Sequence, residues 1–504
     1  MKIKISDKPN PNHDAHDLCL NGYLFKRQRI NKNSINWLCK IPLCSGSVTL
    51  SKNNDKIERF VEHEHVRVRR KFGEVEQAAQ KFKISCKIRC ETEPNLSAGK
   101  IFLEEQTKIA QSSGVSYQDL TSVIPAFASI KPTLERRKKI SRPKLPACVT
   151  ELELPPEFTE TFKGDKFLIL NKSNKILVFC SLIGLQALGK TSHWYADGTF
   201  RSSARFYYQL YIIHAYINNH MLACCWAYMN RRREKEYDLA LRAIKKEAKV
   251  HKIVLSPKFK MTDFELAAIN SFKSNFEGIR NKGCLLHFTK CLMKKIQDLG
   301  LKPEYEKDDT LVYWFKSICA LALIPLNSVD DQFENILAKM PNYANADKFL
   351  GYFVKTYFEG QYPVEMWNHF ETEGTPRTNN NLQGYNNKLN RHISVSHPDI
   401  FKAISKLKEE EVDLCFKYYR AVNKERAPNR NKLYIINDAI MLNQKKMLID
   451  KDITVEIFIK YAIMSFDLSK LNKKKTKSLQ SLDDTLSSEY SEDDSDDEID
   501  SDND

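Results

Sequence analysis

The chain has 504 residues, of which 42% are apolar and 28% charged, and its formal net charge is +15. Residues 482–504 contain twelve acidic residues and no Lys or Arg, so the rest of the chain carries +27. The length allows about two to four domains. So basic a body favours a polyanionic partner such as nucleic acid, because Lys and Arg release counterions from phosphate. The alternative is a solvated, lysine-rich surface.

The sequence also excludes secreted proteins and membrane-spanning proteins. The first residues contain no apolar core of the kind that signal peptides carry. The longest apolar stretch, residues 176–188, has thirteen residues, whereas a membrane span needs about twenty. Thirteen cysteines without a secretory signal indicate a reducing compartment, with mostly buried thiols and a few metal ligands. We therefore expect no membrane partner, and basic clusters at 136–139 and 473–475 favour the nucleus.

In chain order, the pattern predicts seven segments. Residues 9–65 hold short β-type runs, 66–165 form a basic helical linker region, 166–300 alternate strands and helices, 301–375 are a helical insertion, 376–415 hold a further helix, 416–475 are helical and charged, and 476–504 form an acidic tail. The tail should be disordered, because it cannot bury enough apolar surface to offset its chain entropy.

The first segment carries a candidate metal site. Cys39 and Cys44 are followed by His63 and His65, which together complete the closed tetrahedral shell of a structural zinc site. In a strand, residues i and i+2 point to the same face, so both imidazoles reach one ion while Glu64 points away. A domain of about 55 residues needs such a metal, because its core alone is marginal. The alternative is a chance cluster of reduced cysteines and surface histidines.

The residues around these ligands form a more specific pattern than the ligands alone. The motif Tyr23-Leu24-Phe25 is followed by the basic residues Lys26, Arg27 and Arg29, then by Trp37-Leu38-Cys39, Cys44 and His63-Glu64-His65. Residues 9–65 thus resemble the FLYWCH zinc finger. The resemblance implies a zinc-stabilised, β-rich finger that binds DNA or a protein partner, and the basic residues beside it favour DNA.

The linker region and the central segment contain clear secondary-structure signals. Helices are expected at 74–83 and 116–124, and the proline-spaced residues 141–157 read as an extended connection. Within 166–300 the apolar periodicity predicts elements in the order β-β-β-α-β-α-β-α. This order is that of an α/β fold of the RNase H-like type.

Two acidic residues of the central segment follow strand-type runs. Asp197 lies in ADGTF and Asp263 in MTDFE, where a strand gives way to a turn or a helix. Two-metal phosphoryl transfer needs carboxylates that hold two divalent ions about 4 Å apart. An Asp-Gly pair alone is equally typical of an ordinary turn.

A longer series of motifs carries a second resemblance. In chain order they are DGTF, QLYIIHAY, MTDFE, GCLLHF, WFKSICALALIPL, RTNNNLQGYNNKLN and HPDIF. Together they resemble the Mutator-like element (MULE) transposase domain over about residues 166–415. The resemblance implies an RNase H-like DDE domain with a helical insertion, in which Asp197 and Asp263 match the first two acids.

The third acid is where this chain departs from the family. The family pattern has TNN, two residues, Glu-Gly, an aromatic residue and His, but here Gln383 replaces the glutamate and Asn386 the histidine. A glutamine oxygen is a neutral, weaker ligand for a hard cation. Glu371 and Glu373 could substitute but precede the predicted helix, and we treat Glu265 as secondary because it should face away from Asp263. We expect impaired or lost catalysis, with Mg²⁺ or Mn²⁺ bound only if the site is active.

Several other residues allow two interpretations each. Cys284 and His287, with Cys291 on the same predicted helix face, form either a second metal site or a buried thiol and a hydrogen-bonded histidine. The run Arg231, Arg232 and Arg233 contacts phosphate or is a solvated charge run. The Cys86 and Cys90 pair reads as structural. Aromatic residues of the insertion read as its core rather than a base-stacking platform.

Three functions thus stay open: a DNA-binding protein descended from a transposase, an active transposase, and a protein-interaction module acting through the finger. The first is favoured. The sequence is also compatible with a homo-oligomer.

Overall fold

The computed structural model describes residues 4–10, 13–20, 23–41, 43–53, 56–63, 74–93, 96–140, 143–372, 374–429, 432–464 and residue 466. Contacts between Cα atoms divide the chain into two compact units, Met1–Lys144 and Leu145–Asp504. The division falls inside the predicted linker region 66–165. The predicted acidic tail lies outside the described residues.

The first unit begins with an antiparallel meander in which each strand pairs with the next. Its strands are β1 (Lys4–Asn10), β2 (His13–Leu20), β3 (Tyr23–Ile30), β4 (Ser34–Cys39), β5 (Ser47–Ser51) and β6 (Ile57–Val61). Alternate residues of β4 and β5 are buried, as expected for strands with one face on a core. Trp37 pairs with Val48, and Phe25 pairs with Cys39, so the first candidate metal ligand lies at the end of a central strand.

The same unit continues with four helices, α1 (Glu74–Thr92), α2 (Ala98–Ser112), α3 (Tyr117–Val123) and α4 (Phe127–Ile140). The helices predicted at 74–83 and 116–124 are confirmed, and the Ser116 hydroxyl caps the second by accepting a hydrogen bond from an amide. Cys86 and Cys90 are fully buried in the core between the helices, which agrees with a structural role. Here Arg89 forms ion pairs with Glu93, Glu104 and Glu105.

The second unit is built around a seven-stranded mixed sheet. Its strands are β7 (Leu168–Lys172), β8 (Ile176–Phe179), β9 (His193–Thr199), β10 (Gln209–Ile217), β11 (His220–Met229), β12 (Phe259–Thr262) and β13 (Arg280–Gly283). Their spatial order is β13-β12-β9-β10-β11-β8-β7. Strands β9, β10 and β11 form an antiparallel meander, and β12 and β13 continue the sheet parallel to β9.

The described residues of the second unit also form thirteen helices, some of them between the strands of the sheet. They are α5 (Leu182–Lys190), α6 (Glu234–Val250), α7 (Leu266–Asn275), α8 (Leu285–Asp298), α9 (Lys302–Tyr305), α10 (Asp309–Ala320), α11 (Val329–Leu337), α12 (Ala346–Phe353), α13 (Val364–Trp367), α14 (Asn380–Ile393), α15 (Ile400–Val422), α16 (Lys432–Ile449) and α17 (Val455–Met464), with a π-turn at Val354–Phe358 between α12 and α13. Helices α5 and α15 pack on β11, and α14 packs on β9.

The helical insertion has its own core. Trp314, Phe315, Phe353, Tyr357 and Trp367 are buried there, so the prediction that the insertion's aromatic residues are core rather than an exposed platform is confirmed for these five. Helix α17 contributes to the same core, which ties the C-terminal helices to the insertion.

The predicted order β-β-β-α-β-α-β-α matches the elements from β9 to α8. Strands β7 and β8 and helix α5 precede them, and α5 was not predicted. Among the described residues, none of the helices combines the length and the apolar character that crossing a bilayer requires.

Candidate functional site

Two aspartates lie side by side at one end of the central strands. Asp197 is in β9, and Asp263 follows the last residue of β12. The parallel register pairs Tyr195 with Met261. Asp197 and Asp263 lie two residues beyond these partners, so they are side by side. Adjacent strands are about 4.8 Å apart. The two aspartates are therefore neighbours, as the sequence predicts.

Electrostatics agree with this proximity. The side chain of Asp197 is only 7% exposed. Its burial, and then the negative charge of Asp263, hold the pKa of Asp197 well above the usual value. Asp263 is half-buried, and the Thr262 hydroxyl donates a hydrogen bond to its Oδ1 over 3.1 Å. Two carboxylates facing each other in this way accommodate either a cation or a shared proton.

Helix α14 covers the pair. Leu382 packs against Tyr195 and Met261, whose side chains share a sheet face with the aspartates because i and i+2 residues lie on the same side of a strand. Asn386 donates from Nδ2 to Asp197 Oδ2 over 3.1 Å. Gln383 is half-buried three residues earlier, on the same side of the helix. Both positions at which this chain departs from the family pattern thus belong to the helix face that reaches Asp197.

Glu265 is closer to the pair than the sequence analysis expects. It is the residue before α7, and its carboxylate is held by Arg232 and by Tyr237 of α6. Its charge helps raise the pKa of Asp197, and burial followed by Asp263 raises the pKa of Glu265 itself. The charge of Glu265 therefore reaches the pair, although its carboxylate is engaged by other residues.

The carboxylate of Glu265 is nevertheless occupied by two donors. Arg232 donates to it from Nε over 3.1 Å and from Nη2 over 2.5 Å, and the Tyr237 hydroxyl donates over 2.5 Å. Gln209 donates in turn to the Tyr237 hydroxyl over 2.6 Å. Arg232, predicted to contact phosphate, is thus engaged by Glu265, while Arg231 and Arg233 are exposed.

The donor set fits a pair of divalent cations poorly. Among the described residues, the two aspartates and a third His, Cys, Asp or Glu do not form a group whose ligand atoms all lie within 4.8 Å of one another. Glu371 is exposed, and Glu373 lies outside the described residues. The amide of Asn386 turns a donor, not an oxygen, towards Asp197. Hard cations take oxygen ligands, mainly carboxylates, and the nearby Glu265 carboxylate is already engaged by Arg232 and Tyr237.

Cys284, His287 and Cys291 do not gather into a metal site within the part of the chain that the structure describes. Cys284 precedes α8 rather than lying in it, so the three residues do not share one helical face. The Cys284 thiol accepts a hydrogen bond from the Asn379 amide over 3.1 Å, and burial raises its pKa to about 11. A buried thiol that links α8 to the start of α14 describes Cys284 best.

The site at this end of the strands can be compared with known proteins. Residues 193–291 match the MULE transposase domain. The matched segment runs from the start of β9 into α8 and contains both aspartates. It covers about a fifth of the chain and ends before α14. Among curated proteins, none matches the chain.

The MULE domain therefore supports a function related to transposition, and it confirms the MULE resemblance over these residues. The resemblance of the first segment to a FLYWCH finger stays a prediction. So does everything that the α14 region implies, because the match stops at residue 291.

A second candidate site, outside the MULE domain, lies in the first unit. Ligand atoms of Cys39, Cys44 and His63 lie within 4.8 Å of one another, and Cys44 Sγ is 3.4 Å from His63 Nδ1. Backbone amides of Ile41 and Gly46 donate to the two sulfurs over 3.4 and 3.3 Å. Two thiolates and an imidazole are ligands that zinc prefers.

Aromatic residues of the finger motif surround this group. The Tyr23 ring stacks on His63 with centroids 4.0 Å apart, and the Phe25 ring lies 5.4 Å away. The predicted fourth ligand, His65, lies outside the described residues. On β3 the predicted DNA-contacting residues Lys26 and Arg29 are exposed.

The same strand also carries Arg27, which is half-buried. Its neighbour in the register is Trp37 of β4.

Proposed function

We propose that this protein binds DNA as a descendant of a MULE-type transposase, with a zinc-stabilised FLYWCH-type finger and with strand-transfer catalysis impaired or lost. The observation that carries the proposal is the hydrogen bond from Asn386 to Asp197. It lies at the end of the strands where the segment that matches the MULE domain places two acids. The protein then recognises DNA without processing it.

The sheet supports an RNase H-like assignment for the second unit. Three antiparallel strands are followed by two parallel ones, with helices between them, and the spatial order puts β9 at the centre of these five strands. In such an arrangement the carboxyl ends of β9 and β12 present Asp197 and Asp263 together. We infer that the scaffold of a DDE nuclease is retained and that only its complement of acids is reduced.

Loss of the third acid explains why the scaffold would not cleave DNA. Gln383 supplies a neutral oxygen in place of a carboxylate, and a site with one fewer negative charge holds divalent cations weakly. Any residual DNA cleavage would require both metal ions to be bound at this site.

A cleavage assay tests this part of the proposal. Full-length protein is incubated with Mg²⁺ or Mn²⁺ and candidate terminal-repeat DNA, as wild type and as Gln383→Glu. We expect no cleavage or strand transfer by wild type, and a gain of activity in Gln383→Glu if that residue is the only defect. Gln361→Glu, the same change at an exposed position, is the matched control and should stay inactive. Robust wild-type activity that Asp197→Ala abolishes would refute the loss of catalysis.

An active transposase is the second candidate, and the position of Glu265 favours it. This glutamate lies close enough to Asp197 for its charge to help raise the pKa of that aspartate. It could complete the acid set if Arg232 and Tyr237 released it. In that case Glu265→Gln would abolish cleavage as fully as Asp197→Ala, whereas an inactive protein shows no effect of either change.

DNA binding is tested separately from catalysis. Duplex affinity of the full chain, measured by fluorescence anisotropy between about 50 and 200 mM salt, should fall steeply because phosphate contacts release counterions. Lys26→Gln with Arg29→Gln should reduce both the affinity and the salt slope. A protein-interaction module would instead show zinc-dependent folding with no salt-sensitive DNA affinity.

A further inference from the structure

Helix α16 is apolar on several sides but hardly buried. Among its eighteen residues only Met441 is buried, and it joins the core of the helical insertion. On the same side of the helix, Asp438 forms an ion pair with Arg377 over 3.0 Å, and Lys445 donates to the Phe370 carbonyl oxygen. One side of α16 is therefore attached to the rest of the second unit.

The sides of α16 that turn away from Met441 carry large apolar residues. Five of them are 47–60% exposed: Ile435, Ile436, Ile440, Leu442 and Ile449. Smaller and polar residues lie between them on the helix surface: Ala439, Asn443 and Lys446. We call these eight residues the outer face of α16. A helix with apolar residues on several sides is normally buried, so the outer face is suited to contact with another protein surface.

The area of the outer face is large for a monomeric protein. Five large side chains that are each about half exposed present roughly 500 Å², whereas the largest apolar patch of a typical monomer is about 300–600 Å² and is often functional. Two such faces in contact would bury about 1,000 Å², which is about the minimum for a specific protein–protein interface. The area is therefore sufficient for a pair of identical chains.

The outer face also has the spacing of a coiled-coil seam. Five of its residues follow one another at intervals of four and three: Ile435, Ala439, Leu442, Lys446 and Ile449. A depression in the surface is lined in part by Ala439, Leu442, Asn443 and Lys446. Residues at i, i+3, i+4 and i+7 form the hole that receives one side chain of a facing helix in a coiled coil. The outer face therefore offers both such a hole and large side chains that fill one.

The charges at the two ends of α16 favour an antiparallel pair of helices. Lys432 is the first residue of α16, and residues 450–452, Asp-Lys-Asp, follow its end with a net negative charge. In a parallel pair, each of these charges would lie beside its own copy, and Lys446 would lie beside Lys446. An antiparallel pair centred on Leu442 instead brings Lys432 of each copy to residues 450–452 of the other. Opposite charges then meet, which favours this orientation.

A segment of the same chain is less suited to this face. Residues 467–504 follow α17 and lie outside the described residues. They contain no two adjacent apolar residues, and their last part is strongly acidic. An apolar face is best covered by another apolar face, and the outer face itself provides one.

We propose that the outer face of α16 binds the same face of a second copy of this chain, in an antiparallel pair related by a two-fold axis near Leu442. Leu442 of each copy enters the hole beside Ala439 of the other copy, and Ile435 lies beside Ile449. Such an interface uses the same surface on both copies, as two-fold dimers do. The proposal does not depend on the proposed DNA-binding function.

The oligomeric state of the full-length protein, measured by sedimentation equilibrium over a range of concentrations, tests the proposal. We expect wild type to dimerise. Leu442→Asp should weaken dimerisation at least tenfold, equivalent to about 1.4 kcal/mol, because it places a carboxylate in an apolar contact. Leu103→Asp, at an exposed leucine of α2, is the matched control and should dimerise as wild type does. Circular dichroism checks that both variants are folded.

Crosslinking with a short bismaleimide tests the orientation of the pair. Position 435 lies seven residues from the axis in each copy, so the two copies of it are fourteen residues apart, about 21 Å along the helices. The two copies of position 442 adjoin. Leu442→Cys should therefore crosslink well above the wild-type background, to which the exposed Cys148 contributes, and Ile435→Cys should not.

The other outcomes would overturn the proposal. Equal crosslinking of the two cysteine variants would indicate a parallel pair, and a dimer unaffected by Leu442→Asp would use another surface. A monomeric wild type would show that a second copy is not the occupant. If deletion of residues 467–504 then allowed dimerisation, that segment would cover the face, and if it did not, the face would serve a different protein.

Discussion

At the scale of single residues, Gly46 is held directly beside the candidate zinc ligands. A Cβ atom added there would lie 2.7 Å from His63 Nδ1 and 3.2 Å from Cys44 Sγ. Gly46→Ala should therefore displace a ligand and lower zinc affinity by about 10–100-fold, as changes next to metal ligands commonly do. Competition with a chromophoric chelator measures the affinity.

The matched control for that substitution is Gly99→Ala in the same unit. The added Cβ at Gly99 meets only the Phe127 ring, at an ordinary contact distance of 3.5 Å. Its zinc affinity should equal that of wild type. If Gly46→Ala binds zinc equally well, Cys44 and His63 do not hold the ion together.

Single residues also show which parts of the site could be predicted from the sequence and which could not. The aspartates were predictable because strand ends and motif spacing are local properties of the chain. The engagement of Arg232 by Glu265 was not, because 33 residues separate them and only the sheet brings them together.

At the scale of elements, α14 is attached to α15 by a histidine between two glutamates. His392 Nδ1 lies 2.9 Å from Glu410 Oε1, and its Nε2 lies 2.6 Å from Glu409 Oε2. These hydrogen bonds raise the pKa of His392 to about 9, although burial and the nearby Lys406 oppose the charge. Lys388 also pairs with Glu410. The helix that carries Gln383 and Asn386 is therefore positioned by a charged imidazole.

The raised pKa gives this attachment a definite pH dependence. The folded value is above the ordinary value of about 6.5, so the stabilisation is complete below pH 6.5 and is lost as pH rises through about 9. We expect the free energy of unfolding of the second unit to fall by roughly 1–2 kcal/mol across this window, allowing for solvent screening. Urea denaturation at pH 6.5 and 9.5 measures the difference.

Two substitutions separate His392 from other titrating groups. His392→Gln should remove most of the loss between the two pH values, and His251→Gln, at the end of α6, should leave it in place. An unchanged pH dependence in His392→Gln would show that the imidazole does not attach α14.

Helix α5 shows why one element was missed. Residues 176–188 form one apolar run, which predicts a strand but does not show where the strand stops. The chain in fact turns at Ser181, whose hydroxyl caps α5 by accepting from the Gly184 amide. Gly184 lets the helix approach β11 so closely that a Cβ there would lie 2.4 Å from the Cys224 carbonyl oxygen. Ser181 was the available signal, and the tertiary approach was not readable from the sequence.

At the scale of the whole molecule, the division at Lys144 and Leu145 predicts two independently folding parts. Both residues are exposed, so limited trypsin treatment should cut after Lys144 and leave two stable fragments. A zinc chelator should lower the melting temperature of the 1–144 fragment and leave that of the 145–504 fragment unchanged. A single transition shared by both, or an effect of the chelator on the second fragment, would contradict the division.

The distribution of charge is a second property of the whole molecule. The twelve acidic residues of 482–504 oppose a body of charge +27. If the tail competes with DNA for basic surface, deleting residues 482–504 should raise duplex affinity about tenfold at low salt and steepen the salt dependence. A full-length chain with each tail Asp and Glu changed to Asn and Gln should behave like the deletion, since it removes charge but keeps length. A tail that only aids solubility would leave the affinity unchanged at low salt.

Phosphorylation at Ser491 or Ser495, each followed by acidic residues, would add negative charge and weaken binding further under the competitive mechanism.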